Sequence, residues 1–140
     1  MKTINVVAAV IVRPSAPSTG SETPGTPCVF ATQRGYGDWK GWWEFPGGKI
    51  EPGETPEQCI VREIKEELDT DVKAERILGV VDYDYPNFHL TMHCILCTII
   101  SGKLTLLEHE AAKWVTKETL RSVEWLPADE IILDKVEGFL

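Results

Sequence analysis

No apolar run in the 140-residue chain approaches the roughly 20 residues that a membrane-spanning helix requires. Basic charge is scarce. Fourteen Lys and Arg face 22 Asp and Glu, for a formal net charge of −8. A surface that binds nucleic acid polymers or anionic membranes nonspecifically needs clustered Lys and Arg, so neither partner is expected. Cysteine is limited to four residues, Cys28, Cys59, Cys94 and Cys97. Cys94 and Cys97 form one C-x-x-C pair with no second pair and no nearby histidine couple, which argues against a zinc site. In a strand, i and i+3 point to opposite faces, so four reduced, mostly buried thiols are the better reading. Gly and Pro number 11 and 9, too few for a low-complexity chain. Residues 1–7 lead into Arg13-Pro14 without a small-residue cleavage site, which reads as a first strand and not as a leader. A cytoplasmic location is expected.

What is present is the composition of one globular domain over residues 1–140, with 43% hydrophobic and 26% charged residues. Ile4 to Val12 reads as a buried strand. Residues 14–27 are dominated by Pro, Ser, Thr and Gly and read as a flexible loop. Cys28 to Gln33 reads as a second strand, 34–41 as a glycine-containing turn, and Trp42 to Phe45 as a short aromatic strand closed by Pro46-Gly47-Gly48. Thr55 caps the clearest helix. Pro56 suits its first position, Gln58 completes a capping box, and Ile60, Ile64 and Leu68 form its buried stripe, so it should end near Leu68 or Asp69. Arg76 to Tyr85 and Phe88 to Ile100 read as paired strands around Pro86-Asn87. Leu90, Met92, Cys94 and Leu96 share one face of the second. Lys113 to Val115 reads as a short strand, Thr116 to Arg121 as a helical turn capped by Thr116, and Asp129 to Phe139 as a C-terminal helix. Strands mixed with few helices predict an α+β fold.

Acidic charge is concentrated. Between Gly48 and Asp71 eight acids face three bases, which accounts for −5 of the −8. At about 100° per residue, Glu63, Glu66 and Glu67 fall on one helix face, with Arg62 pointing away. Like charges one turn apart destabilise a helix by a few tenths of a kcal/mol per pair, about 0.2–0.5. A shared cation relieves that repulsion, and carboxylates without His or Cys select a hard ion, Mg²⁺ or Mn²⁺. The alternative is a solvated acidic face. The Glu44-Phe45-Pro46-Gly47-Gly48 lead-in tips the balance, because glycines let the backbone approach an ion or phosphate closely.

Gly48-x5-Glu54-x7-Arg62-Glu63-Ile64-x-Glu66-Glu67-x-Asp69-Thr70 resembles the Nudix box, with every charged position in register. Asp69 stands where the family usually has Gly, and Thr70 where it usually has an aliphatic residue. The resemblance to MutT-type Nudix hydrolases extends over most of the chain and implies an α/β/α sandwich on a mixed sheet. It implies that Glu63, Glu66 and Glu67 ligate Mg²⁺, with Mn²⁺ as a substitute, that the Gly47 carbonyl completes the coordination, and that Glu54 and Arg62 orient the loop against the helix. Glu108, six residues before Trp114, resembles a further acidic ligand, in preference to Glu110. Arg34, Tyr85 and Asp129 resemble nucleotide contacts: Arg34 to phosphate or base, Tyr85 by stacking, Asp129 by hydrogen bonding to the base edge. Each also has a structural reading, as a surface charge, a core residue and a helix N-cap. Trp42, Trp43 and Phe45 read as core or pocket wall. The implied activity is Mg²⁺-dependent hydrolysis of nucleoside triphosphates to monophosphate and pyrophosphate. Pro127-Ala128-Asp129 resembles the CTP pyrophosphohydrolase group more than the oxidised-dGTP group, where Asn is common at that place, and an ionised Asp129 suits the exocyclic amine of cytosine as an acceptor. The alternatives are an 8-oxo-dGTP diphosphatase and, from another class, a noncatalytic Nudix-fold binding module. A monomer and a homodimer are both compatible with the sequence.

Overall fold

The computed structural model describes residues 2–13, 27–35, 37–105 and 111–140. Residues 14–26 of the expected 14–27 loop and the acids Glu108 and Glu110 lie outside the described residues.

The sheet is organised on its first strand. β1 (Lys2–Arg13) runs parallel to β6 (Phe88–Ser101), from the pair Lys2 and Phe88 to the pair Ile11 and Cys97. Its other edge is divided. Val6, Val7 and Ala8 pair antiparallel with β4 (Gly47–Lys49), while Val12 and Arg13 pair with β2 (Cys28–Gln33). β2 carries β3 (Trp43–Glu44) and β7 (Ala111–Val115), both antiparallel. β5 (Asp71–Tyr85) lies on the outer side of β6. The path is β3-β2-β1-β6-β5, a mixed sheet.

Alternation along β1 divides the core. Val7, Ala9 and Ile11 face one layer with Cys59, Ile60, Ile64 and Leu68 of α1 (Pro56–Leu68). Ala8 and Val10 face the other layer with Ala128 of α2 (Pro127–Ile131), Leu133 and Val136 of α3 (Leu133–Glu137), and Ile132 between the two helices. The result is the expected α/β/α sandwich. Cys94 and Cys97 lie in opposite layers, and all four cysteines are buried thiols outside any disulfide.

α1 has the expected bounds. The Gln58 N–H donates to Thr55 Oγ1 at 3.1 Å, and the Gln58 side chain accepts from the Thr55 N–H at 3.0 Å. Asp69 ends the helix with φ 49°, the left-handed conformation that glycine usually supplies and that Asp tolerates. Thr70 explains its own departure from the motif. Its buried hydroxyl donates to the Leu68 carbonyl at 3.0 Å and accepts from the Leu104 N–H at 2.8 Å. An aliphatic side chain could do neither.

Several elements differ from expectation. Gly47–Lys49 is a strand, not a terminator, because β1 offers it an open edge. β5 starts at Asp71, five residues early, and its register shifts after Asp71, Ala74 and Ile77 hide the alternation. Thr116 caps nothing. Its N–H donates to Thr119 Oγ1 at 2.8 Å, and the only helical turn nearby is a 3₁₀ turn at Leu120–Ser122. The C-terminal helix begins at Pro127 and breaks at Ile132, so Asp129 lies inside a helix and is not its N-cap.

Candidate active site

Arg62 is the hub of the acidic cluster. Its Nε donates to Glu54 Oε2 at 2.7 Å, and its Nη2 to Glu54 Oε1 at 2.9 Å and to the Lys49 carbonyl at 3.2 Å. Its Nη1 donates to Glu63 Oε1 at 2.9 Å and Glu66 Oε2 at 3.1 Å. The expectation that Arg62 points away from these acids is therefore wrong. A helical wheel places Cβ vectors, and a flexible Arg side chain sweeps well beyond its own. Glu54 also accepts from the Glu51 N–H at 3.0 Å, folding the 51–54 turn onto the helix. The Arg62 hydrogen bond lowers the Glu54 carboxyl to about 2. Glu54 in turn raises the Arg62 guanidinium above its usual value. Burial pushes the neighbouring Cys59 thiol up to about 12, which removes it as a nucleophile.

The glycines of β4 meet this cluster at close range. A Cβ on Gly48 would stand 2.3 Å from the Glu63 carboxyl carbon. A Cβ on Gly47 would stand 1.9 Å from the Val7 carbonyl oxygen of β1. A side chain at 47 would meet β1 backbone, whereas one at 48 would meet only the end of the Glu63 side chain. Gly47, Gly48 and Lys49 then line one end of a cavity of about 260 Å³, together with the buried Glu67. Among the described residues no three acidic, His or Cys side chains converge tightly enough to hold an ion as they stand. Arg62 supplies the local positive charge and draws Glu63 and Glu66 to itself. The donor chemistry nevertheless fits a hard cation: carboxylates and backbone carbonyls, with a glycine cradle pressed on Glu63.

Two substitutions separate the glycines' duties. Gly47→Ala pushes backbone against backbone across β1 and β4 and should destabilise the fold by several kcal/mol, roughly 1–3 or more, as overpacking does. Gly48→Ala displaces only the flexible end of Glu63. It should melt close to wild type yet turn over nucleotide about ten-fold more slowly, the low end of the cost of misplacing a reacting group. Thermal melts and steady-state rates of the two variants check this. Equal stability losses would refute it.

The other end of the cavity assembles from distant chain segments. β3 is tied to the start of α2 by the Trp43 N–H donating to the Glu124 carbonyl and the Leu126 N–H donating to the Trp43 carbonyl, both at 2.8 Å. That register lets the Phe45 N–H donate to Asp129 Oδ2 at 2.9 Å, 84 residues away. Asp129 is 4% exposed and lines the cavity. Burial, reinforced by the Glu44 charge, raises its carboxyl to about 8. At neutral pH it is a neutral acid that donates as well as accepts, and not the ionised acceptor expected from sequence. Arg34 lines the same cavity in a bidentate pair with Glu44, Nη2 to Oε1 at 2.8 Å and Nε to Oε2 at 3.2 Å. Tyr85 is both core and wall. It is buried, its hydroxyl accepts from the Ala128 N–H at 3.2 Å, and its ring meets Trp39, Tyr83 and Phe88.

The structure therefore brings Arg34, Tyr85, Asp129, Gly47 and Glu67 to one cavity, and joins Glu54, Arg62, Glu63 and Glu66 beside its glycine end. Trp43 and Phe45 are buried, whereas Trp42 is half-buried. Sequence reasoning missed Glu44 and Trp39. Their signal was position: Trp39 lies in the turn between β2 and β3, and Glu44 ends β3 beside it.

The sequence profile of the NUDIX domain matches residues 5–138. The chain is 30% identical over 134 residues to the CTP pyrophosphohydrolase of Escherichia coli (strain K12), covering 96% of this chain and 91% of that protein. It is 46% identical over 65 residues to an 8-oxo-dGTP diphosphatase of Proteus vulgaris, covering 46% of this chain and 58% of that protein. The structure of a MutT NUDIX hydrolase from Burkholderia pseudomallei superposes with a TM-score of 0.81 at 26% identity, covering 97% of this chain and 99% of that one.

Proposed function

The chain belongs to the NUDIX domain family and is a Nudix hydrolase, and from that membership we infer that it hydrolyses nucleoside triphosphates to the monophosphate and pyrophosphate. The observation that carries this reading is a single cavity with a glutamate and glycine backbone at one end and a buried hydrogen-bonding carboxyl at the other. Those ends suit a polyphosphate and a base.

Mg²⁺, or Mn²⁺ in its place, would be held by Glu63, Glu66, Glu67 and the Gly47 carbonyl, with Glu108 as a further ligand. Such an ion supplies charge neutralisation on the phosphate oxygens and an acidified water. The residues of the chain do the rest. Glu54 and Arg62 fix the 49–54 turn on α1, so β4 and the glutamates keep one relative position. Gly47 lets β4 lie close on β1, and Gly48 lets the Glu63 carboxylate stand against the backbone. Arg34, held by Glu44, sets one wall, and Tyr85 offers a ring face to the base. Asp129 reads the base edge.

A neutral Asp129 pairs with a donor beside an acceptor. Cytosine presents that pair through its exocyclic amine and N3, which supports CTP or dCTP as substrate. Oxidised guanine presents one through N7–H and O6, and the Proteus relative favours this second reading. The retained charged positions support catalysis over a binding module. We assign the nucleotide as the partner, in a chain with no helix among its described residues long and apolar enough to cross a membrane. A pyrophosphate-release screen with Mg²⁺ across normal, oxidised and methylated triphosphates tests the reading. Turnover of a cytosine or oxidised-guanine nucleotide is expected. No Mg²⁺-dependent turnover of any triphosphate would overturn it.

A further inference from the structure

A second recess adjoins the cavity at its base end. It is lined by Arg34, Asp38, Trp39, Trp42, Tyr85 and Phe88, together with the Pro86-Asn87 turn. Arg34, Trp39, Tyr85 and Phe88 belong to both compartments, while Phe45, Leu126 and Asp129 belong to the first alone. None of the glycine-end residues reaches the recess.

The walls of this recess are aromatic and mutually braced. Trp39 meets Trp42 edge-on at 5.0 Å and Tyr85 at 5.6 Å, and Tyr85 stacks on Phe88 at 5.2 Å with 25° between the planes. The turn that carries the two tryptophans is built to hold them. The Arg34 N–H donates to the Trp42 carbonyl at 2.9 Å, and the Gly41 N–H donates to the Arg34 carbonyl at 2.8 Å. Gln33 Nε2 donates to the Gly41 carbonyl at 3.0 Å. Gly37 and Gly41 take φ of 77° and 90°, the left-handed region that glycine enters without strain. Both tryptophans stay half-buried, with ring surface left over.

We propose that this recess is a second subsite that receives an aromatic or apolar substituent on the nucleobase, attached at the edge turned away from Asp129. The proposal rests on the reading of the cavity as the nucleotide site. The occupant follows from continuity. The recess shares Arg34 and Tyr85, which interact electrostatically with Asp129, and shares none of Gly47, Gly48 and Glu67, so an extension of the base reaches it and an extension of the phosphate tail does not. Its chemistry is that of ring stacking, for which Trp and Tyr faces supply large rigid area. If Asp129 holds the Watson–Crick edge, the amine and N3 of cytosine or the N1–H and O6 that an 8-substituted guanine without N7–H still presents, the substituent leaves from C5 of the pyrimidine or C8 of the purine. The ligand class is therefore a ring-enlarged nucleotide, beyond ordinary bases and single-atom oxidation.

Monophosphates carry no anhydride bond, so binding can be read without turnover. Calorimetric affinities would be measured for dCMP and 5-phenyl-dCMP, and for dGMP and 8-phenyl-dGMP. Wild type should bind one phenylated nucleotide at least as tightly as its parent. Trp42→Ala should weaken that phenylated ligand by about five-fold or more, the lower end of a lost ring stack, and leave the parent within about two-fold. Trp42→Phe should restore most of the difference, and Trp42→Leu gives the same reading if Trp42→Ala melts abnormally. Parent bound but both phenylated forms rejected by about ten-fold or more would overturn the subsite alone. So would equal weakening of parent and phenylated forms by Trp42→Ala. If no parent nucleotide binds, the nucleotide reading of the cavity falls, and this proposal with it.

Discussion

Glu67→Gln should fold, melt at or above the wild-type temperature, and lose about 10²-fold or more of its Mg²⁺-dependent turnover. The loss follows from removing one preorganised charged group from a site that must compensate developing phosphate charge. The stability follows from electrostatics. Glu67 is buried on the cavity wall in a helix already rich in carboxylates, and Glu63 precedes it by one turn. Removing one charge lowers like-charge repulsion by a few tenths of a kcal/mol, about 0.2–0.5. Mg²⁺ should raise the wild-type melting temperature, because a ligand that binds only the native state stabilises it, and should raise that of Glu67→Gln less. Glu57→Gln, in the first turn of the same helix and exposed, serves as the control and should behave as wild type in both assays. Full turnover by a protein carrying Gln at 63, 66 and 67 would end the assignment of these residues.

Asp129→Asn should change base selection at high pH and leave it alone at low pH. Below about 8 the native carboxyl is protonated and presents one donor and one acceptor. Asn presents the same pair, so the ratio of kcat/KM for dCTP over dGTP should match wild type at about pH 6.5. Above about 8 Asp129 ionises and becomes an acceptor only. It then suits the adjacent N1–H and amine of guanine and leaves cytosine N3 unpaired. An unpaired buried polar group costs about 1–3 kcal/mol, so the wild-type ratio should fall by roughly 5- to 150-fold toward pH 9, while the Asn ratio stays flat. Taking a ratio cancels any pH dependence of water activation common to both substrates. A wild-type ratio that does not move with pH, offset from the Asn ratio throughout, would mean that Asp129 is ionised at every pH tested.

The same shift has a signed effect on stability. The folded carboxyl sits near 8, and an unfolded Asp near 3.9. Between these values the native state holds a proton that the unfolded state releases, so stability falls as pH rises from about 4 to about 8 and then levels off. Asn keeps the acceptor for the Phe45 N–H and carries no such penalty. Asp129→Asn should therefore melt above wild type, with a gap that widens across that window. Glu54 behaves oppositely. Its carboxyl is held near 2, so its contribution is present above the normal carboxylate range and is lost as pH falls through about 2.

What could be read from sequence divides along local and nonlocal causes. α1 was legible to the residue because its signals are its own: Thr55 and Gln58, Pro56, the Ile60-Ile64-Leu68 stripe, and an Asp able to turn left-handed. β4 was not, because Gly47-Gly48-Lys49 has no strand propensity and is a strand only where β1 lends an edge. The start of β5 was hidden by bulges. Within the site, residue types and spacing located the glutamates, but not the reach of Arg62 across them. The position of Asp129 was legible, yet its protonation was not. That state depends on burial under Phe45 and on the charge of Glu44, more than 80 positions away in sequence. The Trp39 and Trp42 recess escaped for a related reason, since its far wall comes from the β5–β6 hairpin.

The central claim is that this cavity splits a nucleoside triphosphate into monophosphate and pyrophosphate. Hydrolysis of dCTP and of 8-oxo-dGTP in ¹⁸O-water with Mg²⁺, followed by ³¹P resonance and mass analysis of the products, tests it most directly. Equal amounts of monophosphate and pyrophosphate are expected, with the label in pyrophosphate, as attack at the β-phosphorus requires. Diphosphate with orthophosphate, or no Mg²⁺-dependent product from either nucleotide, would contradict it.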